Sequence, residues 1–332
     1  MRILIFDACC PKPYDSHTLD TEALGGTEAT VVRVAEGLAK RGHYVVVQQH
    51  CREGFTTSGE LGPEYAPLSF EPVGIDAVLS LRDLKTLPYL KDKYPKAKLF
   101  LWAHDLPTNE LCQNVPLLDD IGAQVVCVSK WHRTQVVETL ISGGYDGTHF
   151  RVSHIYNPID DSLMIDAAIK TNLNKLVFFS SPHKGLEDAL LHFSNLLRFN
   201  EEFKLYVANP GYYPSLAKEV PGVVNLGAIS HSEAIAHVRT SLAVLYPNRV
   251  FPETFGLVFA EGNAVGTPVL THDIGAANEV LDAPQYEIVG QSTKEVVDTI
   301  MKWRNGERPT VRGRKDFRAT AIVKEWEALL GK

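Results

Sequence analysis

Two glutamates, Glu253 and Glu261, stand in the segment Pro247-Asn-Arg-Val-Phe-Pro-Glu253-Thr-Phe-Gly-Leu-Val-Phe-Ala-Glu261-Gly-Asn-Ala-Val-Gly266. The apolar run Leu242–Leu245 before it reads as a buried strand. Leu257–Ala264 reads as a helix whose first turn is expected to open near Thr254 or Phe255. The N–H groups of Phe255, Gly256 and Leu257 then have no intrahelical acceptor, and such a helix start welcomes an anion. Glu253 precedes that start. Glu261 lies about six residues into the helix, about 9 Å along its axis. Ionised carboxylates accept strong hydrogen bonds from paired hydroxyls. Two of them at this separation suit the two sugars on either side of a diphosphate, one reaching a hexose and the other a ribose. The competing reading is a surface helix with a Glu on its polar face. Glu261, however, lies between Phe259-Ala260 and Ala264-Val265, where a carboxylate needs a partner.

Other places carry residues of the right type. Lys184, in Phe179-Ser180-Ser181-Pro182-His183-Lys184-Gly185-Leu186, follows a strand and can neutralise a diphosphate; a solvated surface lysine is the alternative. His104-Asp105 follows the strand Lys98–Trp102. A histidine there carries protons near neutrality and donates to hydroxyls, or else is a satisfied core residue. Gly25-Gly26 opens the first long helix, which lets backbone approach a ligand, or is an ordinary loop pair. Leu226-Gly227-Ala228-Ile229 precedes the helix at His231 and reads as a plain strand and turn. In Asn209-Pro210-Gly211-Tyr212-Tyr213 the two tyrosines suit stacking or core coverage equally.

The elements that must position these residues alternate. Arg2–Phe6 reads as a strand and Pro11–Glu22 as a polar loop. Val31, Val32, Ala35, Leu38 and Ala39 form a helical stripe that Gly42 ends, and Tyr44–Val47 is the next strand. Strands follow at Ala77–Leu81, Lys98–Trp102 and Val125–Val128, then a helix at Lys130–Leu140. The pattern weakens after Asn157-Pro158, so a domain boundary is expected between 165 and 170. A second α/β series has a strand at Lys175–Phe179, a helix near Leu186–Arg198, a strand at Lys204–Ala208, a helix near His231–Val238 and a strand at Pro268–Thr271. Phe317, Ala321, Ile322, Trp326, Leu329 and Leu330 make a final amphipathic helix. Two α/β series predict two doubly wound parallel sheets facing a cleft, with ligands at the carboxyl ends of the strands.

Length and composition agree. The 332 residues exceed one ordinary domain, and 45% hydrophobic with 22% charged residues describes a globular chain. A formal charge of -7 disfavours nucleic acid and anionic lipid as partners. No apolar run reaches the length of a membrane span, and Asp7 interrupts the short run Ile3–Phe6, so no export signal is expected. The five cysteines then read as reduced thiols of a cytoplasmic protein. No two of the 24 glycines are spaced G-x-G, which removes the dinucleotide fingerprint. The P-loop Gly-Lys-Ser/Thr and the serine nucleophile elbow are also missing. No Asp-x-Asp occurs, so the usual carboxylate clamp for a metal–diphosphate is missing too.

With these residues together, the chain resembles retaining glycosyltransferases of the GT-B fold, family 4 in particular. Glu253 and Glu261 reproduce the E-x7-E signature. The pattern continues through Gly266-Thr267-Pro268-Val269, Asp273-Ile274-Gly275 and Asn278-Glu279-Val280. It also takes in Gly25-Gly26, His104-Asp105 and Asn157-Pro158-Ile159-Asp160, and so covers nearly the whole chain. The resemblance implies an acceptor-side Rossmann-like domain at 1–165, a nucleotide-sugar domain at 170–310 and a terminal helix at 311–332 that crosses back to the first domain. It implies a hexosyltransferase of the EC 2.4 class using a UDP- or GDP-sugar as co-substrate, with no metal and no other cofactor. His104, Glu253 and Lys184 are the catalytic candidates. Gly25, Gly26, Ser180, Lys184, Ala228, Ile229, Thr254, Phe255, Gly256, Leu257 and Glu261 are the donor-binding candidates, with Ala228 and Ile229 on the loop that reads the base. The acceptor is a glycan, a lipid-linked or a small molecule, with no nucleic acid and at most peripheral membrane contact. The sequence departs from the family at Ser180-Ser181, where Gly-Arg is usual, so one diphosphate-binding cation is missing. His183, Arg249 or backbone N–H groups are the candidates to substitute. That departure keeps a non-catalytic sugar-nucleotide-binding relative open, and an epimerase or hydrolase on the same scaffold is the other alternative.

Activity is expected to persist in excess EDTA, measured as donor turnover with acceptor present. Complete loss that Mg²⁺ or Mn²⁺ restores counts against the metal-free expectation.

Overall fold

The computed structural model describes residues 1–209 and 220–331. Pro210, Gly211, Tyr212 and Tyr213, the tyrosines among them named above for stacking or core coverage, lie outside the described residues. The chain divides into two compact units. Unit 1 is Met1–His17, Gly26–Pro158 and Arg318–Lys332, and unit 2 is Thr18–Gly25 and Ile159–Phe317.

Unit 1 contains β1 (Arg2–Asp7), β2 (Tyr44–Gln49), β3 (Thr56–Thr57), β4 (Glu64–Pro67), β5 (Ala77–Leu81), β6 (Lys98–Trp102), β7 (Gln124–Cys127) and β8 (Val152–His154). They form one sheet in the order β3-β4-β2-β1-β5-β6-β7-β8. The pairings are parallel except that of β3 with β4. Ile3–Ile5, Val45–Val47 and Val78–Leu79 are buried in unbroken runs. A parallel sheet covered on both faces requires such runs rather than alternation.

Unit 2 contains β9 (Asn172–Phe179), β10 (Lys204–Asn209), β11 (Val223–Ala228), β12 (Ser241–Tyr246) and β13 (Val269–Thr271). Their order is β11-β10-β9-β12-β13, all parallel. In each sheet the direction of strand succession reverses, between β1 and β5 in unit 1 and between β9 and β12 in unit 2. Loops leaving the carboxyl ends at such a point diverge to opposite faces and open a crevice.

Several expectations need correction. The division falls at Pro158/Ile159, not between 165 and 170. The cause is local: Ile159 N–H donates to the Phe317 carbonyl at 2.8 Å, and the Met164 carbonyl accepts from Arg239. Residues up to 317 stay with unit 2 for similar reasons. Arg312 N–H donates to Asp282 at 2.8 Å, and the Phe317 ring meets that of Phe255 edge-on at 5.1 Å. The segment Pro11–Glu22 contains a short helix, Ser16–Thr21, and β3 and β4 fall in a stretch the sequence leaves unassigned. A helix at Thr293–Lys302 is likewise unassigned in the sequence reading. Among the described residues, no helix is long and apolar enough to cross a membrane.

The final helix, Ala319–Leu330, belongs to unit 1. Its fully buried Trp326 meets Trp102 edge-on at 4.8 Å, and Glu327 pairs with Arg41 and with His43, the latter at 2.9 Å. It lies so close to the helix Gly26–Lys40 that a Cβ at Gly37 would stand 2.2 Å from Val323 Cγ2. Gly37→Ala is therefore expected to cost about 1–3 kcal/mol through overpacking, less the roughly 1 kcal/mol gained in helix propensity. In a Val323→Ala background the same change should be neutral or stabilising, read by a double-mutant cycle of denaturant unfolding. Equal costs in both backgrounds would show that this contact does not set the packing.

Candidate functional site

The candidate residues fall into two groups, one in each unit. In unit 2 Ser180, Lys184 and Glu253 sit on the loops that leave β9 and β12, the pair at the reversal of strand order. After β9 the chain turns at Ser181, whose carbonyl accepts from Lys184 N–H at 2.9 Å. Gly185 follows with φ +98°, and a Cβ there would stand 2.9 Å from Asn248 Cα. Only glycine lets the β9 loop lie that close to the β12 loop. Asn248, fully buried, shapes the β12 loop by donating to the Phe251 carbonyl at 2.5 Å and accepting from Val250 and Phe251 N–H.

These two loops bring Lys184 and Glu253 together. Glu253 Oε1 accepts from Lys184 Nζ at 2.9 Å and from the Tyr246 hydroxyl at 2.5 Å. Tyr246 is the last residue of β12 and wholly buried. Burial, reinforced by the Glu253 charge, pushes its phenol well up, so it stays a neutral donor. Ser180 Oγ donates to Tyr246 at 3.5 Å, which completes the chain Ser180–Tyr246–Glu253–Lys184. From behind, Ala276 N–H donates to the Glu253 carbonyl at 2.9 Å. Gly275, at φ +64°, makes that approach possible, because a Cβ there would stand 2.5 Å from the same carbonyl oxygen.

The helix after Glu253 begins later than expected. It spans Leu257–Ala264, and Gly256 caps it at φ 84°. The left-handed glycine separates Thr254 and Phe255 from the helix, so Phe255 N–H is not part of its first turn. The Phe255 ring is instead buried against Phe317. Glu261 therefore lies four residues past the helix start, about 6 Å along the axis. Its partner is His231, whose Nε2 stands 2.8 Å from Glu261 Oε1. A capping box places His231. Ser230 Oγ accepts from Glu233 N–H at 3.3 Å, and Ser230 N–H donates to Glu233 at 3.0 Å. Ala228, exposed, ends the edge strand β11, and Ile229 beside it is half-buried.

Two of the groups named to replace the missing cation are otherwise engaged. Arg249 pairs with Asp188 through two guanidinium nitrogens. His183 lies edge-on to Phe251 at 4.9 Å, and burial, with Lys184 beside it, lowers its pKa and favours the neutral ring. Lys184 is about one-third exposed and is the cation of this loop pair that reaches Glu253.

In unit 1 the candidates follow β1 and β6. His104 is buried with its ring 4.9 Å from Trp102. Burial, with Arg82 and His132 nearby, holds it well below the usual histidine range, so its ring is neutral at pH 7. Asp105 is exposed, and its carbonyl accepts from His132 Nε2 at 2.9 Å. Burial pulls His132 itself down to about 4. Gly26 is the first residue of the long helix, while buried Gly25 groups with unit 2.

Sequence reasoning missed Arg82, which directly follows β5 with φ 62°. A non-glycine residue in that region costs about 1–3 kcal/mol, and such residues cluster at functional sites. Its N–H donates to the Trp102 carbonyl at 3.0 Å, and its guanidinium stands 3.7 Å from the buried Glu28 carboxylate. Burial pushes Glu28 up. Asp7, wholly buried, accepts from the Tyr14 hydroxyl at 2.8 Å and from Cys9 N–H at 2.9 Å. No residue pattern announces a left-handed arginine. Tyr246 had a signal: an aromatic with a hydroxyl closing a strand, seven residues before Glu253.

Two doubly wound sheets, with the chain returning to unit 1 at its end, make this a GT-B fold. Residues 168–321 match the family model described as Glycosyl transferases group 1. The chain is similar in structure to sucrose-phosphate synthase from Thermosynechococcus elongatus, with a TM-score of 0.67 at 13% identity over 99% of this chain and 96% of that one. It is also similar to a glycosyltransferase from Rickettsia africae ESF-5, at 0.66 and 14% over 99% and 97%. A third similar structure is AviGT4, a glycosyltransferase involved in avilamycin A biosynthesis, at 0.64 and 16% over 99% and 97%. No curated protein matches the chain in sequence.

Tyr246→Phe is expected to lower stability by about 1.5–3 kcal/mol, the scale of a hydrogen bond to a charged group. Denaturant unfolding at pH 7 measures it. A change below about 0.5 kcal/mol, the range of neutral surface substitutions, would mean that Lys184 alone holds Glu253.

Proposed function

We propose that the chain is a retaining, metal-independent hexosyltransferase that uses a nucleotide diphosphate sugar. The observation that carries this reading is the meeting of Lys184, Tyr246 and Glu253 on the two loops at the strand-order reversal of unit 2. The glycosyl transferase match over residues 168–321 supports it. An ammonium group carries three donors, and Lys184 directs one to Glu253. The group also suits diphosphate oxygens, whose charge grows as the leaving group departs. Glu253, held by Lys184, Tyr246 and its own backbone, positions the sugar, and neutral His104 donates to a sugar hydroxyl. Glu261, oriented by His231, takes the ribose hydroxyls. No covalent nucleophile is assigned. The acceptor attacks from the face that the diphosphate leaves, and the departing phosphate takes its proton.

A thermal-shift screen of UDP-, GDP- and ADP-sugars tests donor binding, since a ligand at 100 times its Kd stabilises by about 2.7 kcal/mol. Donor turnover only with acceptor separates a transferase from a binding relative, and rearrangement without acceptor would point to an epimerase. Lys184→Ala should lower kcat by roughly 100-fold or more, the scale of losing one preorganised stabiliser. Glu261→Ala should act mainly on KM, because a ribose contact serves ground and transition states alike. An unchanged kcat in folded Lys184→Ala, or the reverse kcat–KM split for Glu261→Ala, would reassign these residues.

A further inference from the structure

We propose that Cys10, His50 and Cys51 form a Zn²⁺ site in unit 1, at the carboxyl ends of β1 and β2. The site is independent of the donor-side reading above. Strands β1 and β2 run parallel with Asp7 opposite Gln49, and His50 N–H donates to the Asp7 carbonyl at 3.1 Å. The two chain segments therefore leave the sheet side by side. Cys10 lies three residues beyond Asp7, and His50 and Cys51 directly follow Gln49. The two Sγ atoms and an imidazole nitrogen all lie within 4.8 Å of one another, the one such His/Cys/Asp/Glu group among the described residues.

The separation of Cys10 from His50 suits a tetrahedral ion, and that of the two sulfurs is shorter than one requires. With Zn–S near 2.3 Å and Zn–N near 2.05 Å, two ligands on one zinc stand about 3.6 Å apart for S and N, and about 3.8 Å for two sulfurs. Cys10 Sγ stands 3.6 Å from His50 Nδ1 and 2.6 Å from Cys51 Sγ. Seating the ion requires the sulfurs to part by about 1.2 Å. Cys51 can supply that movement, because it is half-buried beyond the strand end whereas Cys10 is fully buried. Two thiolates and an imidazole select a thiophilic ion over Mg²⁺ or Mn²⁺. The thiolates also balance the charge of Zn²⁺, and their protons leave for solvent as it binds. His50 is exposed, which gives the ion a path and leaves the fourth position to water. The bound ion would fasten the loop after β1, which carries Tyr14, to the end of β2. His50 stands forty positions after Cys10, and no C-x-x-C spacing announces the set.

The test uses the full chain, fully reduced and stripped of metal. Zn²⁺ is titrated in competition with a chromophoric chelator, and Co²⁺ is added separately and read by absorption. One equivalent of zinc per chain, a thiolate-to-cobalt charge-transfer band and a raised Tm are expected. Cys51→Ser and His50→Ala should each weaken zinc binding by about 100-fold or more, since even outer partners of a metal site are worth roughly 10–100-fold. Far-UV circular dichroism should stay unchanged in both. Equal zinc binding by the Cys10→Ser/Cys51→Ser chain overturns the proposal. So does a reduced wild-type chain that takes up no zinc; a Cys10–Cys51 disulfide formed in air would then assign the pair to redox chemistry. Activity lost on chelation and restored by Zn²⁺ alone belongs to this site, whereas restoration by Mg²⁺ or Mn²⁺ belongs to the donor.

Discussion

A carboxylate removed from water has to be paired, and in unit 2 that requirement falls on Glu253. Left alone in a buried position it would cost several kcal/mol, of the order of 3–5. Its two side-chain donors come from different parts of the sheet: Tyr246 ends β12, and Lys184 stands in the loop that leaves β9. Both reach it because β9 and β12 are neighbours and their loops touch. That touch needs glycine at 185, and the backbone behind Glu253 comes close only with glycine at 275. Residues as far apart in the chain as Lys184 and Ala276 thus hold one glutamate, the lysine by its carboxylate and the alanine N–H by its backbone carbonyl.

Unit 1 meets the same constraint differently. Its buried acids Asp7 and Glu28 are held by the Tyr14 hydroxyl and the Arg82 guanidinium. Burial alone pulls Arg82 down, but the carboxylates Glu28, Asp105 and Asp7 outweigh it and raise its pKa. The arginine is fixed as a cation, and the price is a left-handed backbone for a residue with a Cβ. Phenol and guanidinium here do what phenol and ammonium do around Glu253.

The architecture was legible in the sequence because buried parallel strands are unbroken apolar runs, and Ala77–Leu81 and Lys98–Trp102 are read from it with their observed bounds. The helix Thr293–Lys302 could have been read too. Ser292 Oγ accepts from Glu295 N–H at 3.2 Å, and that Ser-x-x-Glu spacing is a capping signature. The start of the helix at Leu257 was harder to read, since nothing in Phe255-Gly256 says that the glycine takes φ 84°. Glu261 was legible as a carboxylate in need of a partner, but His231 as that partner was not. The two stand thirty positions apart, and only the packing of their helices joins them. Arg82 and the cluster of Cys10, His50 and Cys51 were hidden for the same reason: strand order, not spacing, assembles them.

The state of His104 limits what unit 1 can contribute chemically. A histidine that shuttles protons at pH 7 needs a pKa near that pH. Burial holds His104 far below it, and the ring stays neutral. It is thus suited to orient a hydroxyl and unsuited to take its proton. Tyr246 is excluded from the opposite direction, because its phenol is held too high to ionise. Glu253 already accepts two strong hydrogen bonds on one oxygen. Neither the His104 ring in unit 1 nor the Tyr246 phenol in unit 2 is therefore poised as a general base at pH 7.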